Sequence, residues 1–486
     1  METLMHVIGG RPVTPEASQW DNVVNPASGE ILGRVPLDDA HALSLAVETA
    51  SAAFGPWADT PVLQRARVMF KFHELMDRHR NDIARSVTTE HGKTLPDATL
   101  EVARAMEVVE LAASAPSLLK GEVLAGVSRG VDTMLIRTPL GVVAGITPFN
   151  FPAMVPLWMI PPALVSGNTF ILKPSERTPL TSLFMMDLWA EAGLPAGVLN
   201  LVLGGRSAVD QILMHPDIKA VSFVGSQPVA EYIYRTAAAQ GKRVQALGGA
   251  KNYHIIMPDA HIPKTVDALM GSAFGSAGER CLAGSVAIAV GSAADTLVPA
   301  LREAIRQWQV GPGLDAGSDM GPVIRPESRE RIAGYIQKGV EEGAVLLEDG
   351  RQNPVEQPGF FLRPTLFDGV SSSMTIAREE IFGPVLSLMR APDLTGAVKL
   401  ANASQFGNTA TIYTESGASA RYFRDHIEAG MVGVNIGVPA PVAIFPFTGW
   451  KHSFYGDLHA TGMDALRFYT EEKVVISRWW GDNQPE

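Results

Sequence analysis

The chain has 486 residues, a formal net charge of −11, and a composition that is 46% hydrophobic and 19% charged. This length predicts at least two folded cores, and the acidic balance argues against nucleic acid as the main partner. A single cysteine, Cys281, excludes internal disulfides and multi-cysteine metal sites, and we predict no bound metal.

The first residues of the chain and its most apolar stretch bear on where the protein is expected in the cell. Residues 1–6 contain no lysine or arginine, which disfavours a secretory or transit peptide and predicts a cytoplasmic protein. Residues 142–172 are strongly apolar, but they contain prolines at positions 148, 152, 156, 161 and 162. A lipid-spanning helix needs about 20 apolar residues without such breaks, so we predict buried core and no membrane partner.

The predicted elements change character along the chain. Residues 41–120, for example 62–90, show the three- and four-residue apolar spacing of amphipathic helices. Beyond them, short apolar runs alternate with helical segments, which predicts βαβ units and a parallel sheet. A second alternating region, from about residue 255 to 434, predicts another α/β domain. The predicted strands are residues 142–146, 169–172, 199–203, 220–224 and 244–247, then 286–290, 344–347 and 385–388.

Polar residues follow three of these strands, at the sheet edge where α/β proteins bind ligands. Asn150 follows the first, and its amide can donate to an oxyanion, although an asparagine beside proline is also a common turn residue. Lys173 and Glu176 follow the second and suit ribose hydroxyls, with an exposed ion pair as the alternative. Gly225 and Ser226 open a helix whose N-terminus favours phosphate.

Cys281 lies in the glycine-rich segment 275–284, where a substrate can approach the sulfur closely. The adjacent Arg280 favours the thiolate, which is the nucleophilic form. A buried structural cysteine is the alternative interpretation.

Taken in order, segments 147–152, 173–179, 223–226, 248–249, 275–284, 380–384 and 446–447 closely resemble the aldehyde dehydrogenase superfamily. The resemblance implies an α/β fold, with a Rossmann-type NAD-binding domain, an α/β catalytic domain and a small β oligomerisation arm. The implied ranges are 1–120, 140–248 and 452–469 for the first, 249–451 for the second, and 121–139 with 470–486 for the arm. It also implies a homotetramer or homodimer.

The same resemblance implies roles for individual residues. Cys281 is the implied nucleophile, and Asn150 with the Cys281 amide forms the oxyanion hole. Because the charge of Glu176 repels a 2′-phosphate, the expected cofactor is NAD rather than NADP. The residues expected to contact it are Phe149, Lys173, Glu176, Arg177, Gly225, Ser226, Glu380 and Phe382.

One departure from the family pattern suggests a branch. Hydrolytic members carry a glutamate base where we place Ala246, and an alanine cannot activate water. The acyl group is then expected to pass to coenzyme A as co-substrate. Residues 148–154, 249–252, 447–451 and 456–459 are similar to the methylmalonate-semialdehyde dehydrogenase branch, which implies oxidation and decarboxylation to propionyl-CoA or acetyl-CoA.

That branch also implies that Arg104 and Arg280 hold the carboxylate of a small-molecule substrate, a task that suits guanidinium groups. Relatives usually have glutamine at Glu279, and a carboxylate there is expected to neutralise Arg280 in part. Two alternatives stay open: a hydrolytic enzyme that uses Glu279 or Glu380 as its base, and a silent relative that only binds aldehyde or dinucleotide.

Overall fold

The computed structural model describes residues 2–480. Its helices include the predicted amphipathic segment 62–90, which forms two helices that meet at His79. The helices are α1 (Ala40–Ala58), α2 (Val62–Arg78), α3 (Arg80–His91), α4 (Leu95–Ala113), α5 (Ala115–Leu118), α6 (Met154–Val165), α7 (Leu180–Glu191), α8 (Arg206–Met214), α9 (Gln227–Ala239), α10 (Ile262–Phe274), α11 (Ala293–Gln307), α12 (Pro326–Glu341), α13 (Thr375–Arg378), α14 (Leu394–Asn402), α15 (Gly417–His426) and α16 (Gly462–Phe468).

Every strand predicted from an apolar run is present, with bounds that differ by a few residues. Strands β1 to β4 have no counterpart in the prediction: β1 and β2 have only three residues each, and β3 and β4 are not continuous apolar runs. The strands are β1 (His6–Ile8), β2 (Arg11–Val13), β3 (Trp20–Val24), β4 (Ile31–Pro36), β5 (Glu122–Ser128), β6 (Val131–Pro139), β7 (Val142–Ile146), β8 (Thr169–Lys173), β9 (Leu199–Leu201), β10 (Ile218–Val224), β11 (Arg243–Leu247), β12 (Asn252–Ile256), β13 (Gly284–Val290), β14 (Val345–Glu348), β15 (Thr365–Asp368), β16 (Val385–Ala391), β17 (Phe406–Gly407), β18 (Thr409–Tyr413), β19 (Met431–Val434), β20 (Trp450–Lys451), β21 (Phe454–Gly456) and β22 (Thr470–Arg478).

The first large sheet has the strand order β2-β1-β9-β8-β7-β10-β11-β21. Its central strands from β9 to β11 are parallel, as the βαβ alternation predicts, while antiparallel strands lie at both edges. Strands β7 and β8 are buried along their whole length, and α6 is buried despite its prolines. The apolar stretch 142–172 is therefore core, as predicted. Within residues 2–480, no helix is long and apolar enough to cross a bilayer.

The second large sheet has the order β14-β15-β16-β13-β12-β18-β19 and is parallel except at β14. Four residues, 248–251, join β11 of the first sheet to β12 of the second. A small cavity at this junction is lined from both sides, by the carboxyl ends of strands in the first sheet and by residues that precede strands in the second. Ligand-binding loops from the two sheets therefore meet at one place.

A third sheet, with the order β22-β6-β5, is antiparallel and is made from the segments predicted to form an arm. Its surface is apolar, with Val123 72% and Ile476 70% exposed. Residues 481–486, which belong to the predicted arm, lie outside the described residues, as does residue 1 of the predicted NAD-binding domain. The division into domains remains a prediction.

Candidate active site

Cys281 lies on the loop that connects α10 to β13. The loop begins with a left-handed turn, in which Ser276, Ala277 and Gly278 have φ angles of 50°, 53° and 71°. Glycine is needed at position 278, because a Cβ atom there would lie 2.3 Å from the carbonyl oxygen of Gly383. The turn ends α10 and places Cys281 just before the amino end of β13.

Two asparagines hold the backbone of the nucleophile loop. Asn252 and Asn408 each donate from Nδ2 to the carbonyl oxygen of Cys281, both at 2.9 Å. Neither was predicted as a site residue. The available signal in the sequence was the place of Asn252, in the segment 249–252 that carries the family resemblance and directly before an apolar run. In the structure its side chain is buried. These bonds fix the position of Cys281 from the side of the second sheet.

The environment of the thiol differs from the expectation. Burial and, to a smaller extent, the nearby carboxyl of Glu380 raise the pKa of Cys281 to about 12. Arg280 lowers the pKa, as predicted, but its effect is smaller than that of burial. Burial therefore outweighs the predicted effect of Arg280 in the free enzyme, because removing the sulfur from water disfavours its charged form more than one cation favours it.

A cavity of about 210 Å³ opens beside Cys281. Its walls are mostly apolar and aromatic, and both predicted clamp residues belong to them. The main lining residues are Phe151, Met154, Trp158, Val438, Phe447, Arg104, Arg280 and Cys281. The structure thus brings the thiol and two guanidinium groups to one cavity.

Each of these arginines already has a carboxylate partner. Arg104 donates to Glu107 one turn further along α4, at 2.9 Å. Arg280 lies 2.7 Å from Asp97, and its Nε donates to the hydroxyl of Ser276. A substrate carboxylate therefore has to share or displace these contacts.

Glu279 does not neutralise Arg280, which corrects the expectation from the sequence. Its side chain is fully buried behind the loop, where one oxygen lies 3.9 Å from Nε2 of His91 and the other accepts from the backbone N–H of Ile324. Burial raises the pKa of Glu279 to about 8. The acidic partner of Arg280 is Asp97, which stands far away in the sequence.

Asn150 follows β7, at the carboxyl end of the strand, as predicted. It lines a second, smaller cavity of about 20 Å³ together with Cys281. Its Nδ2 donates to the carbonyl oxygen of Glu279 at 2.9 Å, two residues before the nucleophile. The amide is therefore directed at the nucleophile loop, where an oxyanion donor is needed.

Of the two residues Ala246 and Leu247, only Leu247 lines the cavity beside Cys281. Leu247 and Gly248 line the small cavity beside Cys281 and Asn150. Ala246 is fully buried on the other face of β11, in the core that includes Ala230 and Ile233 of α9. Successive side chains of a strand point to opposite faces, so these two neighbours have different surroundings. An apolar side chain therefore stands at the cavity.

Lys173 and Glu176 meet at the carboxyl end of β8. Nζ of Lys173 donates to Oε2 of Glu176 at 3.1 Å. Burial alone would raise the pKa of Glu176, but the charge and hydrogen bond of Lys173 hold that pKa below its usual range. Glu176 is therefore ionised near neutral pH and presents a negative charge at this edge of the sheet.

The aromatic and acidic residues predicted for the dinucleotide also meet. The ring of Phe149 packs edge-on against Phe382, with centroids 5.9 Å apart, and Arg177 lies 5.3 Å above it. Glu380 is partly buried and accepts from the backbone N–H of Ala250 at 2.9 Å. Burial raises the pKa of Glu380 to about 7. Loops of both sheets thus contribute to the same region.

Gly225 and Ser226 lie between β10 and α9, as predicted. Ser226 precedes the first turn of α9, and its side chain makes no hydrogen bond to that turn. The first N–H groups of the helix are therefore open to an anion. Within residues 2–480, no three His, Cys, Asp or Glu side chains are grouped as metal ligands.

The chain was compared with protein-family models and with curated proteins. Residues 13–475 match the model of the aldehyde dehydrogenase family. The malonate-semialdehyde dehydrogenase of Halalkalibacterium halodurans is 51% identical over 478 residues, which cover 98% of this chain and 99% of the relative. A malonate-semialdehyde dehydrogenase of Geobacillus thermodenitrificans is 53% identical over 478 residues, again 98% of this chain and 99% of the relative.

Solved structures agree with these matches. The chain is similar to the methylmalonate-semialdehyde dehydrogenase of Oceanimonas doudoroffii, with a TM-score of 0.97, 51% identity and coverage of 99% of both chains. It is also similar to a structure from Sinorhizobium meliloti, described as a putative methylmalonate-semialdehyde dehydrogenase complexed with NAD. That match has a TM-score of 0.97, 46% identity and coverage of 99% of both chains. The predicted α/β fold is confirmed.

Proposed function

The chain belongs to the aldehyde dehydrogenase family, and on this basis we propose that it oxidises malonate or methylmalonate semialdehyde with NAD and transfers the acyl group to coenzyme A. The observation that carries the proposal is Leu247 at the cavity that holds Cys281. Its side chain cannot activate water, so an acyl group on the thiol awaits a stronger nucleophile.

The cofactor region supports NAD. Ionised Glu176 suits a free 2′-hydroxyl and repels a 2′-phosphate, while the open N-terminus of α9 at Ser226 suits a pyrophosphate. Two aromatic rings, those of Phe149 and Phe382, form a wall of the proposed cofactor region, and Glu380 adds a carboxyl group to it. When bound, NAD accepts the hydride that leaves the aldehyde carbon.

The proposed chemistry begins at the thiol. After its proton passes to water, the sulfur of Cys281 attacks the aldehyde carbon, and the amide of Asn150 with the backbone N–H of Cys281 stabilises the negative oxygen. One such donor is worth about 2.7–4 kcal/mol. Arg104 and Arg280 hold the substrate carboxylate in the larger cavity, where both line the wall. Loss of the hydride leaves a thioester on Cys281.

The substrate carboxylate then lies β to the thioester carbonyl. As carbon dioxide leaves, that carbonyl accepts the released electron pair, and protonation of the carbon gives an acetyl or propionyl thioester. The thiol of coenzyme A attacks this carbonyl and frees Cys281. The products are acetyl-CoA from malonate semialdehyde and propionyl-CoA from methylmalonate semialdehyde.

The hydrolytic alternative is less well supported. Neither Glu279 nor Glu380 lines either of the two cavities that contain Cys281. The carboxylates that do line the larger cavity each pair with a cation, and these pairs are Asp97–Arg280, Glu107–Arg104 and Glu101–Lys93. Without a free base beside the thioester, attack by water is slow.

The test is a rapid-mixing measurement of NADH with malonate semialdehyde. Without coenzyme A, we expect a burst of about one NADH per active site, followed by little turnover. With coenzyme A, steady turnover and acetyl-CoA are expected, identified by mass spectrometry. Sustained turnover to a free acid without coenzyme A, at a comparable rate, would contradict the proposal. An absence of any NADH would favour the silent relative.

The subunit arrangement is part of the proposal. We expect the sheet formed by β5, β6 and β22 to bind a second copy of the chain, in a homodimer or homotetramer, because Leu124, Val474 and Ile476 are exposed on one of its faces and Val123 on the other. The segments 1–120, 140–248 and 452–469 are proposed as the NAD-binding domain, and 249–451 as the catalytic domain. Sedimentation of the purified protein tests the assembly, and a monomer at micromolar concentration would contradict it.

A further inference from the structure

Behind the loop that carries Asn150 lies a buried ion pair that the proposed mechanism does not use. Lys93, in the connection between α3 and α4, lies 2.7 Å from Glu101 on α4, and both side chains are completely buried. Taking two charges out of water is costly, and such a pair is often no better for stability than two apolar side chains. Stability alone therefore does not explain why the pair is present, and its other contacts point to a role.

Lys93 holds the loop at Asn150, the proposed oxyanion donor. Its Nζ donates to the backbone carbonyl oxygen of Asn150 at 2.6 Å. The same ammonium group lies 4.1 Å from the centre of the Phe151 ring, the next residue along the chain. The peptide after Asn150 is thus held by a charge-assisted hydrogen bond and by a cation–π contact.

Glu101 holds the other end of the same loop. Its Oε2 is the partner of Lys93, and its Oε1 accepts from the backbone N–H groups of Ala153 and Met154, at 2.9 and 3.1 Å. These N–H groups begin α6, so a negative charge there also stabilises the end of the helix. The loop from Asn150 to Met154 is therefore fastened at both ends by one ion pair.

From these contacts we infer that Lys93, supported by Glu101, is a positioning residue that directs the amide of Asn150 at the oxyanion. The inference rests on the proposed function, in which Asn150 stabilises the negative oxygen. With its backbone carbonyl tied to Lys93, Asn150 keeps only side-chain rotation, and its Nδ2 points toward the nucleophile loop. Lys93 touches neither substrate nor thiol in this role and acts only through Asn150.

The test measures the rate of the NADH burst with NAD and malonate semialdehyde, and with propanal as a second aldehyde. Asn150→Ala is expected to slow the burst about 10²- to 10³-fold, the effect of losing one oxyanion donor. Lys93→Met is expected to slow it about 10- to 100-fold with little change in KM, because a misplaced donor acts mainly on the transition state. In the Asn150→Ala background, Lys93→Met should change the rate by less than about twofold.

Two controls separate positioning from a general loss of structure. Lys242 is also a buried lysine that donates to backbone carbonyls, those of His215 and Ile218, on the far side of the first sheet. Lys242→Met should lower the melting temperature but leave the burst rate unchanged. Alkylation by iodoacetamide reports on Cys281 alone, since the chain has one cysteine, and it needs no oxyanion. Its rate should change by less than about twofold in Lys93→Met.

If Lys93→Met does not fold, Lys93→Met combined with Glu101→Gln replaces it. This double variant leaves no unpaired buried charge, and the glutamine oxygen can still accept from Ala153 and Met154. An unchanged burst, an equal loss with and without Asn150, or a parallel loss of alkylation would overturn the inference. The proposed function fails by a different result, namely a free-acid product from the wild-type enzyme.

Discussion

The guanidinium group of Arg280 lies 2.7 Å from the carboxylate of Asp97, on the wall of the cavity that contains Cys281. Asp97 also accepts from the backbone N–H and the hydroxyl of Ser276, in the left-handed turn before the nucleophile. One carboxylate therefore orients Arg280 and reduces the positive charge that a substrate meets. This pair is expected to tune the preference for acidic aldehydes.

Replacing Asp97 with asparagine should strengthen the binding of an acidic substrate. The asparagine oxygen can keep the contacts to Ser276, but it no longer neutralises Arg280. We expect the KM for malonate semialdehyde to fall about three- to tenfold, which corresponds to roughly 0.7–1.4 kcal/mol. The KM for propanal, which has no carboxylate, is the control. A rise for malonate semialdehyde, or equal changes for both aldehydes, would contradict the assignment.

Arg104 provides a second test of the clamp. Arg104→Ala should raise the KM for malonate semialdehyde about 10- to 100-fold and leave that for propanal nearly unchanged, because a charged hydrogen bond is worth about 1.5–3 kcal/mol. Arg78 is a matched control, since it also pairs with a carboxylate on its own helix, at Glu74, but lies on the surface of α2. Arg78→Ala should alter neither value. Equal effects of Arg104→Ala on both aldehydes would remove the clamp.

Substitutions in β11 test whether the lack of a base beside Cys281 prevents hydrolysis of the thioester. Leu247→Glu places a carboxylate in the cavity beside Cys281, where it can activate water. Turnover without coenzyme A should rise by about 10²-fold or more. Ala246→Glu is the matched control, because its side chain enters the apolar core under α9. It should destabilise the protein without raising turnover, and the opposite outcome would reassign the position to residue 246.

Glu380 should suppress the reactivity of the thiol. Its carboxyl has a pKa of about 7, so it is mostly ionised at about pH 8 and raises the pKa of Cys281. Glu380→Gln should therefore speed the alkylation of Cys281 by iodoacetamide several-fold at that pH, in the absence of NAD. Glu379→Gln is the control, because Glu379 is exposed and bonded to Tyr335. An unchanged or slower reaction in Glu380→Gln would contradict this account.

Glu279 should make stability depend on pH. Its pKa rises from 4.5 to about 8 on folding, so between these values the folded state binds more protons than the unfolded state. Stability is then lost as the pH rises through this window. One pKa unit corresponds to about 1.4 kcal/mol, so the loss amounts to a few kcal/mol at most.

Glu279→Gln removes this titration. The melting temperature of the variant, minus that of the wild type, should increase from about pH 5 to about pH 8. His91, whose pKa is lowered by burial, makes stability rise with pH instead, the opposite sign to Glu279. A difference that stays constant or falls with pH would show that Glu279 is ionised in the folded state.

The parallel strands were predictable because buried strands are continuous apolar runs, and those runs also show where each strand ends. Asn150, Lys173 and Ser226 could therefore be placed at one edge of a sheet. The strands β1 and β2 could not, since three residues carry no pattern. The carboxylate partner of Arg280 could not be predicted either, because Asp97 becomes its neighbour only when α4 packs against the nucleophile loop.

The sequence does not show which side chain of β11 faces the cavity. Residues Val244 to Leu247 are all buried, so the strand shows no alternation of polar and apolar side chains that would reveal which face meets the cavity. The raised pKa of Cys281 could not be predicted for a different reason. A neighbouring charge is visible in a sequence, whereas the loss of water around the sulfur appears only once the chain is folded.

The presence of one cysteine in the chain has a consequence for oxidative damage. A sulfenic acid formed at Cys281 has no second thiol within the chain with which to form a disulfide. Its recovery therefore depends on a small thiol that can enter the cavity from solution. Without one, further oxidation to the sulfinic acid is irreversible for this protein, and each such event permanently silences one site.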